Sequence, residues 1–160
     1  MYPGTHITGG DGMFIVNVEG AVYHENKWLI IERSAKESHA GGTLSLVGGK
    51  VDTDGGGADI LEKNVRREIF EEVGIEIKKS VHYVYSSSFI SDDGDPVVNV
   101  VFLCGYESGT AYINSPDEVD AVYWMTAEEV FSHPKTPPWT KESIKRADEL
   151  RRNLQHLNQG

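Results

Sequence analysis

Arg67-Glu68-Ile69-Phe70-Glu71-Glu72-Val73-Gly74-Ile75 is the stretch from which the rest of the chain can be read. Wound as a helix, it sets Glu68, Glu71 and Glu72 at i, i+3 and i+4, so the three carboxylates share one face. Val65, Ile69 and Val73 make an apolar ridge on another face, and Leu61 extends it back by a turn. Gly74 suits the left-handed position that closes helices. Like charges at this spacing cost an isolated helix roughly 0.2–0.5 kcal/mol per pair. A divalent cation between them removes that repulsion, and hard cations such as Mg²⁺ favour carboxylate oxygens. A solvated acidic face is the ordinary meaning of clustered glutamates. The order Arg-Glu, apolar, any residue, Glu-Glu, any residue, Gly, apolar is more particular than such a face requires.

Upstream, Leu46-Val47-Gly48-Gly49-Lys50-Val51 reads as the end of a strand, Thr43–Val47, running into a Gly-Gly turn. Met13–Val18, Ala21–Tyr23 and Trp28–Glu32 are β-rich, and His24-Glu25-Asn26-Lys27 offers a polar hairpin turn. The helix is expected to begin near Asp59, with Asp59 as N-cap and Glu62 as its reciprocal partner. Downstream, Val81–Phe89 and Val97–Tyr106 read as strands joined by a turn at Asp93-Gly94, since the aspartates there lack calcium-loop spacing. Val119–Trp124 is the last expected strand. Thr126-Ala127-Glu128-Glu129 has capping-box spacing, and a final helix from about Thr140 carries Ile144, Ala147, Leu150 and Leu154 on one stripe. The pattern predicts α/β architecture: a mixed β-sheet with helices on both faces, in a single domain over 13–157 behind a flexible lead-in over 1–12.

Composition narrows the function. A chain of 160 residues is most simply one domain, and no apolar run approaches the roughly 20 residues of a membrane helix. The net charge of −10 argues against a nucleic-acid partner, because phosphate backbones are gripped by basic surfaces. Met1-Tyr2-Pro3-Gly4-Thr5-His6 lacks the features of a secretory signal, which points to a cytoplasmic location. The lone cysteine, Cys104, lies in an apolar run and reads as a buried small hydrophobe. The six histidines lack metal-ligand spacing. Trp139, after Pro137-Pro138, reads as an anchor of the last helix on the core, with base stacking as the alternative.

The segment from Gly49 to Ile75 resembles the signature of the Nudix hydrolases, enzymes that cleave a nucleoside diphosphate linked to another group. From Arg67 to Ile75 it matches at every defined position. Gly49, the counterpart of the opening glycine, stands 18 positions before Arg67, an insertion of about four residues relative to the family pattern, placed around Asp54-Gly55-Gly56-Gly57. Asp59 occupies a position where the family has glutamate. The resemblance implies a Nudix-type α/β/α sandwich and a Mg²⁺-dependent reaction, with Mn²⁺ as a substitute. It implies metal ligands at Glu71, Glu72 and the Gly49 carbonyl, with Glu68 a further ligand or the holder of the attacking water. Arg67 would keep the glutamates aimed, while Gly48, Gly49 and Lys50 would meet the substrate. It also implies one more acid from a later loop: of Asp117, Glu118 and Asp120, Glu118 is chosen for its reach.

Family markers for ADP-ribose and for dinucleoside polyphosphates, a proline or a tyrosine about fifteen residues or more past the signature, are absent. A nucleoside triphosphate or similar nucleotide is therefore the expected substrate, with ADP-ribose or a nucleotide sugar the alternative. Two other classes stand beside hydrolysis. A prenyl-diphosphate isomerase would need a reactive cysteine, which Cys104 does not offer. A catalytically silent nucleotide sensor would be expected to lose one of Glu68, Glu71 and Glu72. Homodimer assembly is left open by the sequence.

Overall fold

The computed structural model describes residues 12–53 and 55–158. Nearly all of the expected lead-in therefore lies outside the described residues. The elements run β1 (Ile15–His24), β2 (Lys27–Arg33), β3 (Leu44–Ser45), β4 (Val47–Lys50), α1 (Ile60–Val73), β5 (Glu76–Ile90), β6 (Pro96–Ser108), β7 (Val119–Met125), α2 (Ala127–Ser132) and α3 (Pro138–Asn158). The strands form one mixed seven-stranded sheet ordered β3-β2-β1-β6-β5, with β4 also on β1 and β7 also on β2. Strands β1 and β6 run parallel; the other pairs are antiparallel.

Alternation along the central strands fills two cores, one on each face of the sheet. Val18, Val22, Leu29, Ile31, Val100 and Phe102 pack under α1, whose Val65, Ile69 and Val73 are fully buried. Ala21, Trp28, Ile30, Val101 and Leu103 face the other way, against Val130 of α2 and Ile144 and Ala147 of α3. The expected α/β/α sandwich is the observed one. None of its helices is long and apolar enough to cross a membrane, among the described residues.

Local signals account for most boundaries. Glu25 and Asn26 both take positive φ, 48° and 66°, as a two-residue hairpin of the primed type requires. Gly74 ends α1 in the left-handed region at φ 73°, and a Cβ there would also run into the Tyr112 ring. Thr126 and Glu129 form the full capping box of α2. Helix α3 starts two residues earlier than expected, with Pro138 in its first position, where a missing N–H costs nothing.

Three expectations are corrected. Asp59 flanks α1 as foreseen, yet sits at φ 59° with no side-chain cap, so the Asp59–Glu62 capping box does not form. Only its carbonyl serves the helix, accepting the Lys63 N–H. Gly48 and Gly49 are strand residues opposite Glu19 and Val18 of β1, not a turn. Trp139 is 55% exposed and anchors nothing in the core.

Candidate active site

Burying the apolar ridge of α1 against the sheet decides how its three glutamates point. Glu72 is 6% exposed. The Glu68 side chain is nearly as enclosed, while that of Glu71 is 56% exposed. The acidic face thus divides: Glu68 and Glu72 turn inward, and Glu71 stays at the rim. Arg67 ties the group together, reaching Glu68 at 3.2 Å, Glu71 at 3.3 Å and Asp52 at 3.2 Å, and donating to the Asn64 Oδ1 at 2.6 Å. These contacts hold the guanidinium among the carboxylates of α1. Asn64 and Asp52 were not foreseen. The buried Asn64 side chain accepts the Asp52 N–H and donates to the Asp52 and Ile60 carbonyls, clamping the segment after β4 onto α1. An amide one position from the ridge of a helix, where it favours neither helix nor core, was the available signal.

The glycines let backbone and carboxylates meet. A Cβ on Gly49 would lie 2.5 Å from the Glu68 carboxyl carbon, so only glycine permits this approach. The Gly48 N–H donates to Glu72. Lys50, like Gly48, lies on the cavity face of β4, whereas Gly49 between them faces α1, so the expected substrate-contacting trio straddles the strand.

Glu118 arrives from the segment between β6 and β7. That segment is fastened to the C-terminal carbonyls of α1: Tyr112 N–H to Val73, Asn114 N–H to Glu72, and the Asn114 side-chain amide to Glu71. Ser115 Oγ donates to Glu118 Oε2 at 3.1 Å. The result is a Glu118 carboxyl acting on both Glu72 and Glu68. Asp120 instead accepts the Ala35 N–H at 3.1 Å, which commits it to the loop after β2.

Electrostatics in this cluster are unbalanced. Burial, then the Glu118 carboxyl, then Glu68 push Glu72 up to about 9, opposed only by the Gly48 N–H. Burial pushes Glu68 to about 7, with Arg67 pulling it down and Glu71 and Glu118 adding to the rise. Among the described residues, no three His, Cys, Asp or Glu side chains already close into a metal cage. Even so, Glu72 Oε2 is buried without a hydrogen-bond partner. Hard oxygen donors, an orphaned buried lone pair and carboxylates that resist ionising together fit a divalent cation.

On the other face of the sheet lies a cavity of about 610 Å³, bordered by Lys50, Tyr85, Phe89 and Trp139. Its floor carries Asn17, Glu19 and Asn99, none of which was singled out in the sequence. The Asn17 amide donates to Asn99 Oδ1 at 2.7 Å, and the Asn99 amide donates to Glu19 Oε1 at 2.6 Å. Burial raises Glu19 above the usual carboxylate range, while Asn99 and the Arg33 charge pull it back. Cys104 is fully buried, and burial pushes its thiol to about 12, which leaves no thiolate for isomerase chemistry.

Comparison with known proteins places this arrangement. The family model described as NUDIX domain matches residues 13–147. Among solved structures, the MutT NUDIX hydrolase from Burkholderia pseudomallei is 25% identical, with 84% of this chain and 98% of that chain covered and a TM-score of 0.71. The MutT protein from Methanosarcina mazei Go1 shares the fold at 23% identity and a TM-score of 0.69, covering 86% of this chain and 95% of that one. So does the NUDIX domain of Shewanella oneidensis NrtR, solved with ADP ribose, at 18% identity, 89% of each chain and a TM-score of 0.66. No curated protein sequence matches the chain. The glutamate-bearing helix, the glycine strand beneath it and the family match lead to one conclusion: this chain belongs to the Nudix family, as a hydrolase of pyrophosphate bonds in nucleoside diphosphate derivatives.

Proposed function

We propose that the chain hydrolyses a nucleoside triphosphate or similar nucleotide with Mg²⁺ held by Glu68, Glu72 and the Gly49 carbonyl. The observation that carries this is Glu72: a buried carboxyl flanked by two others, with one oxygen unpartnered. When bound, the cation supplies charge neutralisation for the phosphate oxygens and lowers the pKa of a coordinated water. The remaining work belongs to side chains. Glu118, held by Ser115 within the cluster, takes the proton of the attacking water. Arg67 keeps Glu68 turned inward and neutralises Glu71 at the rim. Glycine at 49 lets the Glu68 carboxyl press against β4, and the Gly48 N–H holds Glu72. The cavity beyond β4 is large enough for the remainder of a nucleotide.

A panel of nucleoside triphosphates, nucleotide sugars, ADP-ribose and dinucleoside polyphosphates tests this, each with Mg²⁺ and with EDTA. Release of pyrophosphate or phosphate from triphosphates, lost in EDTA, is the expected result. Faster cleavage of ADP-ribose or a nucleotide sugar would replace the substrate. Tight nucleotide binding without turnover would replace the hydrolase with a sensor.

A further inference from the structure

The polar floor of the cavity is costly for a purely structural feature. Asn17 and Asn99 are direct partners across the parallel β1–β6 pair, and Glu19 follows on the same face. The next residues on that face, Ala21, Val101 and Leu103, belong to a dry core. A carboxylate and two amides at the edge of that core must be desolvated, which folding alone does not reward. Their order is also directional. Glu19 accepts, so the Asn99 amide must point toward it, and the Asn99 carbonyl then turns to the Asn17 amide. Glu19 Oε2 and Asn17 Oδ1 are left as acceptors, and one further N–H of each asparagine as donors, with no protein partner among the described residues.

Resting on the nucleotide reading above, we propose that Asn17, Glu19 and Asn99 read the substrate's base. They select a lactam edge, a ring N–H beside a carbonyl, over an amino edge. Guanine, hypoxanthine and uracil offer the N–H to the Glu19 carboxylate and the carbonyl to an asparagine amide. Adenine and cytosine turn a bare ring nitrogen toward Glu19, acceptor against acceptor, and leave a buried group unpaired. Trp139, exposed on the cavity border, supplies a flat surface on which any base can stack, while Phe89 nearby already stacks on the His39 ring. Stacking provides affinity, and the polar floor provides the choice.

The test is calorimetric binding of GMP, IMP, UMP, AMP and CMP in EDTA, beside kcat/KM for the matching triphosphates with Mg²⁺. Lactam bases should bind about tenfold more tightly than amino bases. Glu19→Gln keeps the shape but can present a donor, and should bring that ratio to about one or invert it. Asn17→Ala, at the cavity border, should reduce the ratio several-fold with an unchanged circular dichroism spectrum. Equal affinities in the wild type, absence of binding by all five, or an unaltered ratio in both variants overturns the proposal. Hydrolysis without base preference would leave the hydrolase reading standing and remove this one. Base preference without hydrolysis would do the reverse.

Discussion

Two acids buried on opposite sides of β4 meet different fates. Glu19 and Glu72 are both pushed upward by desolvation. Glu19 receives an amide hydrogen bond and lies in the field of Arg33, which offset part of its desolvation. Glu72 faces Glu118 and Glu68, with a single backbone N–H in its favour. The first arrangement is a directional hydrogen-bond relay whose outer acceptors and donors still face the cavity. The second is unbalanced: carboxyls face one another, and one Glu72 oxygen has no hydrogen-bond partner. The partners of a buried carboxylate, more than its burial, set these two apart.

The sharpest way to break this contrast is Glu72→Gln. Turnover should fall by about 100-fold or more, since a ligand charge is lost from the cluster. The metal-free protein should melt no lower, because glutamine need not suppress an ionisation. Steady-state rates and thermal melts check both, and full Mg²⁺-dependent turnover in the variant would sink the metal assignment. Glu118→Gln should cost on the order of 100-fold in kcat with KM nearly unchanged. Asp120→Asn, whose carboxylate serves a loop, should leave kcat within a few-fold; the opposite ranking would transfer the proton-accepting role.

Metal-free stability should fall as pH rises. Glutamate in the unfolded chain releases its proton near 4.5, whereas folded Glu68 and Glu72 hold theirs to about 7 and about 9. Between 4.5 and 9 the folded state therefore binds more protons, and raising pH favours unfolding. Melting curves in EDTA across that window should show a declining Tm, and Mg²⁺ should restore it most at the alkaline end. A Tm that climbs throughout would contradict the unbalanced cluster. Asn64→Ala, which removes the clamp between α1 and the segment after β4, should destabilise by about 1–3 kcal/mol in urea unfolding. The smallest effect is expected from shortening Gly55-Gly56-Gly57. A Cβ added at Gly55 or Gly56 would meet nothing within 4 Å, so stability should change by only about 0.6 kcal/mol. Lost Mg²⁺ binding in a folded deletion variant would show that this loop shapes the site.

Much of the fold was legible because its causes are short-ranged. The ridge Val65-Ile69-Val73, the stop at Gly74, the hairpin at Glu25-Asn26 and the box at Thr126 each depend on residues within a few positions of one another. Asp59 misled because side-chain chemistry suggested a cap while the chain entering α1 takes a left-handed turn there. Gly48-Gly49 misled because glycine usually marks turns, whereas here both are strand residues, Gly48 bare against the β1 backbone at Val18 and Glu19 and Gly49 bare to admit the Glu68 carboxyl. Trp139 misled because apolar character predicts burial, yet its position at the start of α3 leaves it on the cavity border.

By itself, the sequence determined the α/β class, the glutamate helix and its glycine stop, and the family to which they belong, because periodicity and spacing are properties of neighbouring residues. Only the tertiary structure decided which glutamates are enclosed, how Glu118 is brought beside them while Asp120 turns to the loop after β2, and that Asn17, Glu19 and Asn99 line one floor. The last two residues of that relay stand 80 positions apart and meet only because β6 returns parallel to β1. Burial and charge pairing arise from such returns, and no local pattern encodes them.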